Sequence, residues 1–133
     1  MPFPKDSVVA DINLEMTNVW GETEDVFAIG ARHSDLDEVC RQAAEKLGLR
    51  YMAERSGELC FFYRADQLSF ARAGVPGIWL SQGIVAKGPD KELVQRKFED
   101  YRKTKYHKVT DAIQPDWDLR GALQIAHWAR RVI

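Results

Sequence analysis

The stretch KYHKVTDAIQPDWDLRGA, residues 105–122, holds one of only three histidines in the chain. His107 stands there between Tyr106 and a loop rich in aspartate and proline. Imidazole changes charge near neutrality and serves in proton transfer and in metal ligation, so a histidine so placed is either a solvated loop residue or half of a site. Glu15, the acid near the end of VVADINLEM, is the second residue of interest; taken alone it reads first as solvated charge. Cys40 falls in a helical pattern and Cys60 in a strand pattern, and without a CxxC spacing neither a structural zinc site nor a redox motif is signalled. Both thiols are expected to be buried. His33 precedes a helix and His127 lies among Ile125, Ala126 and Trp128, so both read as structural positions.

The elements that must position these residues follow from periodicity. VVADINLEM alternates, with Ala10, Ile12, Leu14 and Met16 on one face and Asp11, Asn13 and Glu15 on the other, which predicts a strand with acid at its end. DVFAIGA, from residue 25, is nearly all apolar and predicts a strand buried on both faces. Leu36, Val39, Cys40, Ala43, Ala44 and Leu47 recur at helical spacing, with Ser34 to cap the start, Asp37 favourable in the first turn and Gly48 just past the end. LCFFY, residues 59–63, reads as a strand, then a short helix carries Phe70 and Ala71 to Gly74, and VPGIWL is a further buried strand. Gly74 and Pro76 punctuate that helix-to-strand step. A polar helix over about 90–103 and a last helix over about 118–132 complete the chain, leaving His107 in the loop between them. Strands alternating with helices define an α/β class. Trp79, Trp117 and Trp128 are expected to anchor packing.

With 133 residues the chain is expected to form a single domain, residues 1–133, with one core. Its 45% hydrophobic content, four Trp and six Phe exclude a disordered chain, and 29% charged residues exclude membrane burial. A net charge of -1 gives no field directed at nucleic acid or an anionic membrane. The basic run Arg96, Lys97, Arg102, Lys103, Lys105 and Lys108 reads as a solvated helix face. No basic region followed by an apolar run opens the sequence, so a cytoplasmic location is expected for the chain as it stands.

Three segments, VADINLEM, FFYRADQLSFARAGVPGIWL and KYHKVTDAIQPDWDLRGA, together resemble the C-terminal half of the catalytic domain of the cocatalytic two-zinc aminopeptidases. That family includes bacterial leucine aminopeptidases and the glutamate carboxypeptidase II and transferrin receptor branch, and is often exported. The resemblance runs from about residue 8 to the end. It implies a three-layer α/β fold, a central mixed sheet flanked by helices, as a partial zinc-peptidase (phosphorylase/hydrolase-like) fold. It also implies two zinc ions sharing a water whose pKa they lower toward ~7 and polarising the scissile carbonyl of a peptide. By resemblance Glu15 and His107 are the zinc ligands, one for each ion, and Tyr106 donates a hydrogen bond to the oxyanion. Asp111 would orient the His107 imidazole, and Asp66, kept from the family's SDH segment, is a further supporting carboxylate.

The chain departs from that pattern in three places. Glu15 stands where the family usually has aspartate, and ADQ at residues 65–67 stands where it reads SDH. The family's HxD and EE segments, which carry the other ligands and the base, lie upstream of the INLEM strand, and here no EE pair occurs. His33-Ser34-Asp35 spells HxD but lies downstream of Glu15 and opens a helix. The expectation is therefore an incomplete half of a zinc aminopeptidase, inactive alone and holding zinc weakly or not at all, or else a non-catalytic α/β interaction module derived from that fold. A peptide is its substrate if the site is completed, with no nucleic acid or membrane partner, and an uncovered sheet edge gives a motive for homo-oligomer formation.

Overall fold

In the computed structural model, which describes residues 4–52 and 60–133, the centre is a mixed four-stranded sheet of β1 (Asp11–Asn13), β2 (Asp25–Ile29), β3 (Arg50–Met52) and β4 (Gly77–Gln82). The strand order is β1-β4-β2-β3. β1 runs parallel to β4 with Asp11 opposite Gly77, β2 parallel to β3 with Asp25 opposite Arg50, and β2 antiparallel to β4 with Ile29 opposite Trp79. β2 is buried at all five residues, as its apolar run predicts. Among the described residues four α-helices flank the sheet: α1 (Leu36–Glu45), α2 (Gln67–Arg72), α3 (Leu93–Thr104) and α4 (Arg120–Val132).

Alternation along β2 and β4 sends Val26, Ala28, Ile78 and Leu80 to one face, against Cys40, Ala43 and Ala44 of α1 and Ile125, Trp128 and Ala129 of α4. Ile29 and Trp79 face the other way, with Phe62, Leu68 and Ala71 packed on them. Each face thus has its own core, which is the three-layer arrangement. Trp128 is fully buried, and its Nε1–H donates to the Cys40 carbonyl (3.1 Å), tying α4 to α1. Gln124 reaches the start of β2 from α4, accepting from the Thr23 N–H (3.0 Å) and donating to the Thr23 carbonyl (2.8 Å).

The helix limits follow local chemistry. Ser34 Oγ accepts the Leu36 N–H (3.4 Å) at the start of α1, and Gly48 follows its end at φ +68°. Asp118 Oδ1 accepts the Arg120 N–H (3.1 Å) and opens α4 two residues later than the periodicity predicts. Asp118 also clasps the chain after β1, its N–H donating to Val19 O (2.8 Å) and its carbonyl accepting from the Gly21 N–H (3.1 Å). Gly121 lies so close beneath this clasp that a Cβ there would stand 2.4 Å from Gly21 O.

Three expectations fail. Within the LCFFY run, Phe61–Arg64 is a 3-10 helix and not a strand; Leu59 lies outside the described residues. Cys60, at φ +48°, turns the chain out of the extended path, and Phe62 then plugs into the space that Gly30 leaves free, where a Cβ would be 2.4 Å from its ring. A short apolar run does not distinguish strand from helix by periodicity alone. Cys60 is accordingly exposed, whereas Cys40 is buried as expected, and burial pushes its thiol up to about 12. VVADINLEM contributes only three strand residues, with Leu14 43% exposed, so its apolar face is not continuously buried.

Candidate functional site

The polar face of β1 packs against the start of α2. Asn13 Nδ2 donates both to Glu15 Oε1 (2.5 Å) and to Gln67 Oε1 (3.0 Å). Gln67 is fully buried and its Nε2 donates to the Phe62 carbonyl (3.4 Å). Gln67 is therefore a strut: its amide accepts from β1 and donates to the turn before α2, two bonds that a neutral carboxamide makes at once. The Glu15 backbone is held too, since its carbonyl accepts from Trp79 Nε1 on β4 (3.1 Å). Asp66 stands at the N-cap position of α2. Its charge bears on Asp11, whose Oδ2 is buried without a hydrogen-bond partner.

Burial first, and then the Asp66 charge, hold the Asp11 carboxyl above its ordinary value of 3.8. An acid raised in the folded state contributes its full stability below the ordinary value and loses it as pH climbs through the raised one, because the unfolded chain ionises first. Asp11→Asn, which cannot ionise, is expected to raise the urea midpoint at neutral pH and to leave it near the wild-type value at about pH 3. Urea unfolding at the two pH values checks this; equal midpoint differences at both would contradict it.

The second group lies after α3. Tyr106 N–H and Lys105 N–H both donate to the Tyr101 carbonyl (each 2.9 Å), Lys108 N–H closes on Lys105 O (2.8 Å), and Asp111 N–H on Lys108 O (3.0 Å). These turns set His107 at φ +58°, an uncommon left-handed conformation for a residue with a Cβ. Its exposed ring stacks on Tyr106 with centroids 3.8 Å apart and planes 23° from parallel. Asp111 Oδ2 accepts the Tyr101 hydroxyl (2.8 Å); burial, then this bond, push the Tyr101 phenol up to about 12.

The fold thus places Glu15 just past the end of β1, Asp66 where its charge bears on Asp11 at the start of β1, and Tyr106, His107 and Asp111 in one turn. No hydrogen bond or ion pair among the described residues joins the two groups. Trp20 connects them indirectly: it lies five residues after Glu15, and its ring meets Phe98 (6.0 Å) and Tyr101 (5.8 Å) of α3. Neither Trp20 nor the Asn13–Gln67 bond stands out in the sequence. The placing of Asn13 and Glu15 on one face of the strand is the only signal that pointed toward the latter.

Among the described residues no three His, Cys, Asp or Glu side chains converge as a metal-ion site. Zinc is held firmly by four ligands in closed sites and by three in open ones. The donors these residues present do not by themselves fit zinc.

A mixed-sheet α/β domain with polar groups gathered at a strand end and in the turn before its last helix is the class these observations define. A family model for peptidase family M28 matches residues 2–130, and the chain belongs to that family, one of metallopeptidases that are generally zinc-dependent. This agrees, at the level of the family, with the resemblance of the three segments. Neither the curated proteins nor the solved structures give a match.

Proposed function

We propose that these residues supply one wall of a two-zinc aminopeptidase-type centre, with Glu15 for one ion and His107 for the other, the remaining ligands and the base coming from polypeptide outside them. The carrying observation is the match to a metallopeptidase family over residues 2–130, together with Glu15 just past the end of β1 and His107 in the turn after α3. In this reading Tyr106, which stacks on His107, donates to the oxyanion, with Asp111 and Asp66 as supporting carboxylates. The substrate class is a peptide cleaved at its N-terminus. β1 is a sheet edge, unpaired on its outer side among the described residues, and Glu15 follows it closely; a completing segment or a second copy would pair there.

The second reading, a non-catalytic interaction module, is favoured by the tethering of Glu15 to Asn13 and by the burial of Gln67 where an imidazole would otherwise stand. An aminoacyl-anilide assay tests the first reading. The 133-residue chain in excess zinc is expected to show no turnover above a zinc-only blank. Robust turnover by this chain alone would overturn the incomplete site.

A further inference from the structure

We infer that the helix layer formed by α1 and α4 is a docking surface for a second copy of this chain, α1 of each copy lying on α4 of the other about a two-fold axis. The two helices cover the same face of the sheet, since Cys40, Ala43 and Ala44 of α1 share one core with Ile125, Trp128 and Ala129 of α4. Their outer sides differ in charge. Opposite its buried residues α1 shows Glu38, Gln42 and Glu45, at steps of four and three. Its ten residues hold three acids against the single Arg41, whose guanidinium is shared between Glu38 (2.6 Å) and Glu45 (2.5 Å). α4 holds three arginines and no acid. Asp118 takes Arg120 (2.5 Å), whereas Arg130 and Arg131 are exposed and pair with no carboxylate among the described residues.

An apolar row accompanies these charges. Leu119 and Leu123, one turn apart at the start of α4, are 59% and 56% exposed, and the exposed Ala126 continues their line toward Arg130. Steps of four, three and four keep to one side of a helix. Val39 of α1 is exposed as well. Apolar residues scattered singly over a surface are ordinary, but a row along one helix marks a contact. The charges select the occupant. An acidic helix beside a basic one complements its own image across a two-fold axis, because every contact between two positions is then made twice. A uniformly acidic partner or an anionic membrane is opposed by α1, and a uniformly basic partner by α4. At 1.5 Å per residue α1 is ~15 Å long and α4 ~20 Å, and with axes ~10 Å apart they offer roughly 400 Å² per copy, about half of a standard interface. The dimer is therefore weak and reversible. It uses neither Glu15, His107 nor the β1 edge, so it stands or falls independently of the peptidase reading.

Sedimentation velocity on the whole chain, from about 1 μM to about 1 mM, tests it. A monomer–dimer equilibrium is expected, loosened when salt is raised from about 50 to about 500 mM and the charges of α1 and α4 are screened. Leu123→Asp is expected to weaken dimerisation at least about tenfold. Glu38→Arg with Glu45→Arg leaves both helices basic, and Arg130→Glu with Arg131→Glu leaves both acidic. Neither charge variant is expected to self-associate, yet an equimolar mixture of the two is expected to form a one-to-one complex at about the wild-type affinity, since each α1 then meets an α4 of opposite sign. All five substituted residues are exposed, so urea unfolding is expected to change little in any variant. A chain that stays monomeric up to about 1 mM would overturn the proposal. So would a dimer that Leu123→Asp and the charge reversals leave intact, as one paired through the β1 edge would be, or a failure of the two charge variants to associate with each other.

Discussion

Replacing Trp128 by alanine is expected to lower the unfolding free energy by about 3–5 kcal/mol, the range for emptying a buried aromatic position. Trp128 is fully buried, sits in the core between α1, α4 and the sheet, and is the side chain that ties the two helices together. Its loss removes apolar contacts to that core, an edge-on contact with Tyr51 (6.3 Å) and the hydrogen bond to the Cys40 carbonyl. The chain rebuilds none of these, because the space lies between rigid elements and a partly collapsed cavity remains. Urea unfolding followed by far-UV circular dichroism checks the value. A loss under about 1 kcal/mol would mean that α4 is not held through this residue.

The second large effect is expected at Asp25, the first residue of β2, which is 1% exposed. Its Oδ1 accepts the N–H groups of Ile84 (3.1 Å) and Val85 (2.9 Å), fixing the loop that leaves β4. Gly83 is pressed so tightly against it that a Cβ would lie 2.0 Å from that oxygen. Asp25→Ala strands two backbone donors at once, and each buried donor left unmade costs about 1–3 kcal/mol. A total loss of about 3 kcal/mol is expected in the same unfolding experiment. Asp25→Asn keeps an acceptor oxygen in place and should lose distinctly less. Equal losses for the two variants would show that the oxygen's hydrogen bonds do not hold the loop.

What the sequence disclosed divides along the distance over which each signal acts. β2 and α1 were legible because five consecutive apolar-rich residues and a regular helical stripe are local patterns. β3 was not, since three residues show no alternation; it forms because Arg50 N–H finds Glu24 O across the sheet (2.8 Å). The run at residues 59–63 misled for the same reason in reverse, as apolar composition suggested a strand while Gly30 and Phe62, far apart in sequence, settled a 3-10 turn. At the candidate site, the type and position of Glu15 and of the Tyr106-His107 pair could be read from their motifs. The bond from Asn13 to Gln67 spans 54 residues, and the approach of Trp20 to Tyr101 belongs to tertiary packing, so neither leaves a local trace. Alternation placed Asp11, Asn13 and Glu15 on one face of β1 but gave no sign that this face is half-buried against α2, where Asp11 carries a buried oxygen without a partner.

Zinc titration of the metal-stripped 133-residue chain, by calorimetry with chelator competition, bears most directly on the incomplete centre. The expected result is weak binding, far from the ~10–16 kcal/mol apparent free energy of structural zinc sites, with no ion retained after gel filtration and residual binding diminished by His107→Ala. Retention of about two zinc ions per chain, at the affinity of a fully liganded site, would contradict it.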